Sequence, residues 1–200
     1  TFRRQLYDAY KAKRVKAADD LIQQIERSRA IFSAWQIPIY EAAGFEADDI
    51  IGTIVSRLAS RLGHLQIIIA SGDLDTLQLV KAGVTVYTPK RGLDEVTLYD
   101  QAAVVRRFGF APDHLPDFKG LAGDASDNII GVAGIGEKTA ATLVRQFGSL
   151  ENLYQVLKQD PARVKSQAGV SDRVIKLLLA GEDEALFSKA LATIKLDVPL

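Results

Sequence analysis

From Ala18 to Gln36 the apolar residues Leu21, Ile22, Ile25, Phe32 and Trp35 recur at helical spacing behind Asp19 and Asp20, so an amphipathic helix is expected there. Ile37 to Tyr40 reads as a short extended run. Next, Glu46-Ala47-Asp48-Asp49 leads into Ile50, Ile51, Ile54, Val55, Leu58 and Leu62, which predicts a second helix with carboxylates in its first turn. Leu65 to Ala70 is almost continuously apolar and rich in isoleucine, the pattern of a strand buried on both faces of a sheet. Val84 to Thr88 and Glu95 to Tyr99 read as short strands on either side of the turn-rich Pro89-Lys90-Arg91-Gly92. From Gln101 onward the pattern is helical, with breaks near Gly109 to Pro112, Gly131 to Gly136, Gly148-Ser149 and Gly181.

Helices alternating with strands and then giving way to helices alone predict an α/β fold, a mixed sheet flanked by helices, followed by a C-terminal helical lobe. We place the boundary near residue 110, giving an α/β part over residues 1–110 and a helical part over residues 111–200. Two hundred residues, 48% of them hydrophobic, suffice for one full core. The 25 basic and 25 acidic residues cancel, so any electrostatic argument must be local. One local excess opens the chain: residues 1–16 carry Arg3, Arg4, Lys11, Lys13, Arg14 and Lys16 against a single acid, Asp8, with Phe2, Tyr7 and Tyr10 among them. There is no cysteine, which excludes disulfides, thiol catalysis and cysteine metal sites. His64 and His114 stand far apart without zinc-site spacing and read as ordinary polar residues, so any bound metal must be held by oxygen. No apolar run approaches bilayer length and no leader pattern opens the chain, which reads as soluble and cytoplasmic. The chain contains no methionine and begins Thr1-Phe2-Arg3, so further residues are expected upstream.

Three acidic groups stand out: Glu46 with Asp48 and Asp49, Asp73 with Asp75, and Asp124 with Asp127. Singly, each has an ordinary explanation as a helix cap, a turn or a polar loop. Position favours more, because Asp73 and Asp75 follow the most strand-like segment, and the carboxyl ends of strands border the functional crevice of α/β sheets. Seven carboxylates in one crevice would require cations, and Mg²⁺ or Mn²⁺ suits oxygen ligands. Two such ions about 4 Å apart suit phosphodiester hydrolysis. A second signal is Gly131-Val132-Ala133-Gly134-Ile135-Gly136-Glu137-Lys138-Thr139-Ala140, running into Ala141, Leu143, Val144 and Phe147 at helical spacing. This predicts a helix-hairpin-helix whose glycines allow close approach, whose helix N-terminus offers N–H donors to a phosphate, and whose Lys138 adds a cation. An ordinary tight link between two helices is the competing reading.

Taken in order, Glu46-Ala47-Asp48-Asp49, Ser71-Gly72-Asp73-Leu74-Asp75, Gly123-Asp124-Ala125-Ser126-Asp127-Asn128 and Gly134 to Ala140 resemble the 5′ nuclease family that includes flap endonucleases. Within it, the sequence is most similar to the 5′–3′ exonuclease domains that precede bacterial DNA polymerases of type I. The resemblance implies a PIN-like core and two-metal cleavage of DNA at 5′ flaps and single-strand/duplex junctions. It gives Glu46, Asp48, Asp49, Asp73, Asp75, Asp124 and Asp127 to Mg²⁺ or Mn²⁺, and Lys11 and Arg14, at the foot of a helical arch, to the cleaved phosphate. Arg3, Tyr10, Gly131, Gly134, Gly136, Lys138 and Thr139 would contact DNA, Tyr10 by stacking on a terminal base, and the hairpin carbonyls would hold a K⁺ ion. The resemblance also implies a polymerase domain after this one.

The sequence departs from the family pattern at Ile130 and Ala133, where relatives often carry proline. The family also begins with a central strand ending in aspartate, and has another aspartate before the segment matching Thr1-Phe2-Arg3, both outside this chain. The alternative reading is therefore a catalytically incompetent piece that only binds branched or duplex DNA; an RNase of similar architecture is a further one.

Overall fold

The computed structural model describes residues 1–61, 65–89 and 96–200. Leu62 of the second expected helix, His64, the Lys90-Arg91-Gly92 turn and Glu95 lie outside the described residues. The chain opens with α1 (Phe2–Leu6), passes through turns, and forms α2 (Asp19–Ala34) and α3 (Ala47–Arg61). A sheet follows, built from β1 (Ile67–Ala70), β2 (Val84–Pro89) and β3 (Val96–Tyr99), with a 3₁₀ segment, Leu74–Leu79, between the first two. The rest is helical: α4 (Gln101–Phe108), α5 (Leu115–Ala122), α6 (Glu137–Phe147), α7 (Leu150–Gln159), α8 (Pro161–Ala168), α9 (Asp172–Ala180) and α10 (Glu182–Ala192). This is the expected mixed α/β core with a helical lobe.

β2 pairs parallel to β1, Ile69 opposite Val86, and antiparallel to β3, Val86 opposite Tyr99. The strand expected to be buried on both faces is not: Ile69 is buried, but its neighbour Ile68 is 64% exposed. Among the described residues β1 has a partner on one edge only, and one face of this short sheet meets no apolar layer at Ile68. A continuous apolar run reports what a strand could bury, whereas the neighbours decide what it does bury. The same lesson applies to α2. Its boundaries match the 3.6-residue periodicity, yet none of its residues is buried, and Leu21, Ile25, Phe32 and Trp35 all remain exposed.

The core proper runs from the sheet through the helical lobe as one cluster, with Leu77, Val86, Leu121, Leu143, Leu153 and Leu178 fully buried. Sequence-local devices fix the helix ends. Asp100 caps α4 by accepting from Ala103 N at 2.7 Å, and Gly109 closes it in the left-handed region at φ 85°. Ser149 and Ser171 cap α7 and α9 in the same way. Asp117, inside α5, is buried with its charge satisfied: it accepts from Leu150 N at 2.8 Å and pairs with Lys189 of α10 at 2.6 Å, so one carboxylate ties three helices together. His114 packs beside it, Nδ1 3.4 Å from Asp117 Oδ2. Gly52 brings α3 against the C-terminal segment, since a Cβ there would lie 2.6 Å from Ile194 Cγ2.

Candidate functional site

Three local structures carry the acids. At the end of β1 the chain turns at Ser71-Gly72, and Asp73 caps the 3₁₀ segment, its Oδ1 accepting from Asp75 N at 3.0 Å. This is the short-range turn chemistry aspartate favours, and it fixes Asp73 and Asp75 at a strand's carboxyl end. The second carrier is the loop leaving α5. Gly123 lies at φ 73°, Asp124 and Ile129 exchange backbone hydrogen bonds of 2.8 Å, and Asp124 Oδ1 accepts from Ser126 N and Oγ at 2.8 and 2.7 Å. Gly131 presses on the base of this loop, where a Cβ would stand 2.2 Å from Gly123 N, so only glycine fits. The third is the first turn of α3, with Glu46 just before it.

The basic opening segment folds over these acids. Lys11 N donates to Asp127 O at 2.9 Å, and Asn128 Nδ2 donates to Ala9 O at 2.8 Å, which stitches the segment to the Asp127 loop. Lys11, whose backbone is held at φ 56°, places Nζ 2.8 Å from Glu46 Oε2 and 3.4 Å from Asp127 Oδ2. Arg14 Nη2 reaches Asp127 Oδ1 at 2.6 Å. Tyr10 Oη bridges Glu46 Oε2 at 3.1 Å and Asp127 Oδ2 at 3.0 Å. On the other side, Lys119 of α5 donates to both Asp75 and Asp124. Glu46, Asp48, Asp75 and Asp127 line one cavity of ≈ 10 Å³ together with Tyr10 and Lys11, a volume near the lower limit for a single water.

The electrostatics follow from this placement. Burial, and after it the charges of Asp73 and Asp75, pushes the Asp48 carboxyl up to about 6. Burial also raises Asp75, assisted by Asp73 and Asp124, and Lys119 offsets only part of this. For Asp124 burial works upward too, but hydrogen bonds from Lys119 and Ser126 outweigh it and hold the group at about 2. One lysine thus serves two acids unequally, because Asp124 has extra donors and Asp75 has acidic neighbours. Among the described residues no three ligating side chains gather closely enough to hold a metal ion as they stand; the ammonium and guanidinium groups described above lie against the acids.

Several of the expected site residues are held by partners inside the fold. Asp49 is fully buried and closed on Arg3 by two hydrogen bonds of 2.8 Å, with further donors from Glu46 N at 3.0 Å and Lys195 N at 2.8 Å. Arg3 also donates to Leu191 O and Thr193 O, at 2.8 and 2.7 Å, and its Nη1 lies 3.5 Å from Glu46 Oε2. The pair forms an internal tie between α1, α3 and the C-terminal segment, since a buried charge needs its partners at hand. Tyr10 is likewise buried, its hydroxyl held by two carboxylates. Gly131 is buried and needed for loop packing, whereas Gly134, Gly136 and Lys138 are exposed and Thr139 is half-buried at the start of α6. Two sets of neighbours escaped sequence reasoning. Lys119 sits one turn before the acidic loop, a spacing that could have flagged it. Phe108 and Phe118, with Arg107, gave no such signal, since aromatic residues at helical spacing usually mean core.

Anionic side chains gathered at the end of a strand and answered by cations suit a protein that handles phosphate diesters, and the class is that of α/β nucleases. The chain belongs to the 5′–3′ exonuclease family. Residues 1–109 match its N-terminal resolvase-like domain, and residues 110–200 its C-terminal SAM fold. It is 44% identical over 203 residues to DNA polymerase I of Chloroflexus aurantiacus, covering 100% of this chain and 20% of that protein, and 39% identical to DNA polymerase I of Bacillus caldotenax, covering 100% and 22%. The chain therefore spans about a fifth of the length of these relatives. The fold is similar to that of the T5 5′-exonuclease solved with bound zinc, with a TM-score of 0.73 at 23% identity, covering 96% of this chain and 69% of that one. It is similar also to the catalytic core of Rad2 solved with a DNA substrate, with a TM-score of 0.57 at 18% identity, covering 98% and 62%.

Proposed function

We propose that this chain is the nuclease part of a larger protein, one that hydrolyses DNA phosphodiesters near 5′ ends, at flaps and single-strand/duplex junctions. The observation that carries the reading is the single small cavity onto which Glu46, Asp48, Asp75 and Asp127 all open, with Asp73 and Asp124 beside it. These six residues would hold two divalent ions, Mg²⁺ or Mn²⁺; Asp49, satisfied by Arg3, is left out. Two features support the fit. Asp48 is raised first by burial and then by the charges of Asp73 and Asp75 beside it, and Lys119 stands between Asp75 and Asp124 as a resident cation. When bound, the ions would supply neutralisation of the acids, activation of the attacking water and stabilisation of the leaving oxygen.

The chain's own residues do the rest. Lys11 and Arg14, already at the mouth of the acid cluster, would turn to the non-bridging oxygens of the cleaved phosphate and stabilise the charge that develops there. Tyr10 orients Glu46 and Asp127 through one hydroxyl. Exposed Lys138 and the free N–H groups opening α6 would grip the backbone of the duplex without reading sequence, and the carbonyls of the 131–136 loop would hold K⁺. A polymerase partner domain and a cytoplasmic setting belong to the same reading, on the strength of the relatives' names.

The test is cleavage of a labelled 5′-flap DNA by this chain with Mg²⁺, with Mn²⁺ or with chelator. Cutting is expected with the metals and not with chelator, and Asp73→Asn should abolish it while flap DNA still binds. Near-normal cutting by Asp73→Asn would remove Asp73 from the metal site. The internal pairing of Asp75, Asp124 and Asp127 with Lys119 and Arg14 favours a second reading, in which the chain only binds branched DNA. Flap binding without metal-dependent cutting would select it.

A further inference from the structure

Between the acid cluster and the start of α6 lies a groove of ≈ 920 Å³. Asp73, Asp75 and Asp124 line it, and so do Glu137 and Lys138 from the first turn of α6. The lining also has an apolar part: Phe108, Leu115 and Phe118. The two phenylalanines are half-buried, so their rings are open in part to the groove, and they meet edge to face with centroids 6.2 Å apart. Buried Phe110 supports Phe118 from beneath at 5.5 Å. Arg107 at the rim is held by the Tyr99 hydroxyl, with its guanidinium 5.3 Å from the centre of the Phe108 ring.

We propose that this groove is a nucleotide subsite, in which the base of one nucleotide flanking the cleaved phosphate rests on Phe108 and Phe118 under Arg107. The proposal rests on the function argued above and deepens it. A channel that only tracked phosphates would need cations and no apolar lining, whereas aromatic faces beside a guanidinium are the platform on which single bases stack, tolerant of sequence because every base has a π-face. The volume suits a ligand of nucleotide size. Charge places the ends: Lys138, exposed and, among the described residues, without an ion pair or hydrogen bond of its own side chain, receives backbone phosphate, and the acids that line the same groove receive it through their ions. The base is left the apolar part of the lining, and the subsite fixes which phosphate reaches the acids.

The experiment is a protein–substrate cycle with the complete 200-residue chain. Flap substrates carry an abasic residue at each position on either side of the cut, and KM and kcat are measured with Mg²⁺. One abasic position should raise KM roughly tenfold in the wild-type chain, the scale of a lost base–aromatic stack. The same position should have no further effect in Phe118→Ala, while Phe118→Trp should restore it. If Phe118→Ala does not fold, Arg107→Gln at the exposed rim takes its place in the cycle. Additive losses, or no sensitive position at all, overturn the subsite. A second arm uses 2-aminopurine at each position with Ca²⁺ replacing Mg²⁺, and quenching is expected at one position in the wild type and not in the variant. That arm separates the two ideas: a chain that cuts nothing yet quenches one base through Phe118 contradicts the catalytic reading and keeps the subsite, whereas cutting without such quenching does the reverse.

Discussion

Arg3 and Asp49 show how strongly a single residue's surroundings decide its role. Two hydrogen bonds join their charged groups out of contact with water, and each has further backbone partners. Burial works to raise the Asp49 carboxyl, but the Arg3 guanidinium and two backbone N–H groups hold it below the ordinary carboxylate range. A depressed carboxylate contributes stability above its unfolded value of about 3.9 and loses it as the pH falls through the folded value. Asp49→Asn should therefore cost on the order of 3–5 kcal/mol at neutral pH, since it strands a buried guanidinium. The deficit should shrink as the pH falls from about 4 toward the lower folded value, because the unfolded chain takes up the proton first and the wild-type advantage is gone once the folded carboxyl is protonated too; urea unfolding at pH 7 and pH 3 measures both. Lys119 makes the complementary case. Lys119→Met removes the cation between Asp75 and Asp124, so the metal-free chain should lose about 2 kcal/mol. Mn²⁺ should then bind about tenfold more tightly, because no resident cation has to be displaced. Titration followed by the Mn²⁺ resonance signal decides, and weaker binding would show that the lysine supports the ion instead.

At the scale of elements, the loop between α5 and α6 contains two kinds of glycine that look alike in sequence. Gly131 must be glycine, since a Cβ would strike Gly123 N at 2.2 Å and its φ is 65°. Gly136 caps α6 and has nothing within 4 Å of such a Cβ. Gly131→Ala should lower thermal stability severely, by about 3 kcal/mol or more, while Gly136→Ala should cost about 1 kcal/mol. Similar losses in thermal melts would mean that the loop is not pinched at Gly123. α2 and β1 teach the converse. The periodicities that announce them are real, but Phe32, Trp35 and Ile68 find no cover among the described residues. Periodicity reflects the local geometry of backbone and side chain, and burial depends on which surfaces the rest of the fold brings near.

For the whole molecule, the acid cluster joins parts of the chain that are distant in sequence: Glu46 before α3, Asp75 after β1 and Asp127 after α5. Ligation across these parts would stabilise the fold as a unit. Mg²⁺ at a hundred times its dissociation constant should add about 2.7 kcal/mol, and Asp75→Asn should lose most of that gain. Melting curves with and without Mg²⁺ test this, and an equal shift in the variant would place the ion elsewhere. Turn, cap and helix signals depend on residues a few positions apart, so the sequence alone determined α2, α3, the three strands, the acidic turns, four breaks in the helical lobe and the glycine-rich start of α6, but not α1 or the divisions between α7, α8 and α9. Only the tertiary structure decided that Asp49 belongs to Arg3, that Lys119 bridges two acids, that Tyr10 is buried among carboxylates and that Phe108 and Phe118 line a groove. Those outcomes depend on partners 5 to 117 positions away, and the energy of a buried charge or ring is set by whatever the fold places beside it.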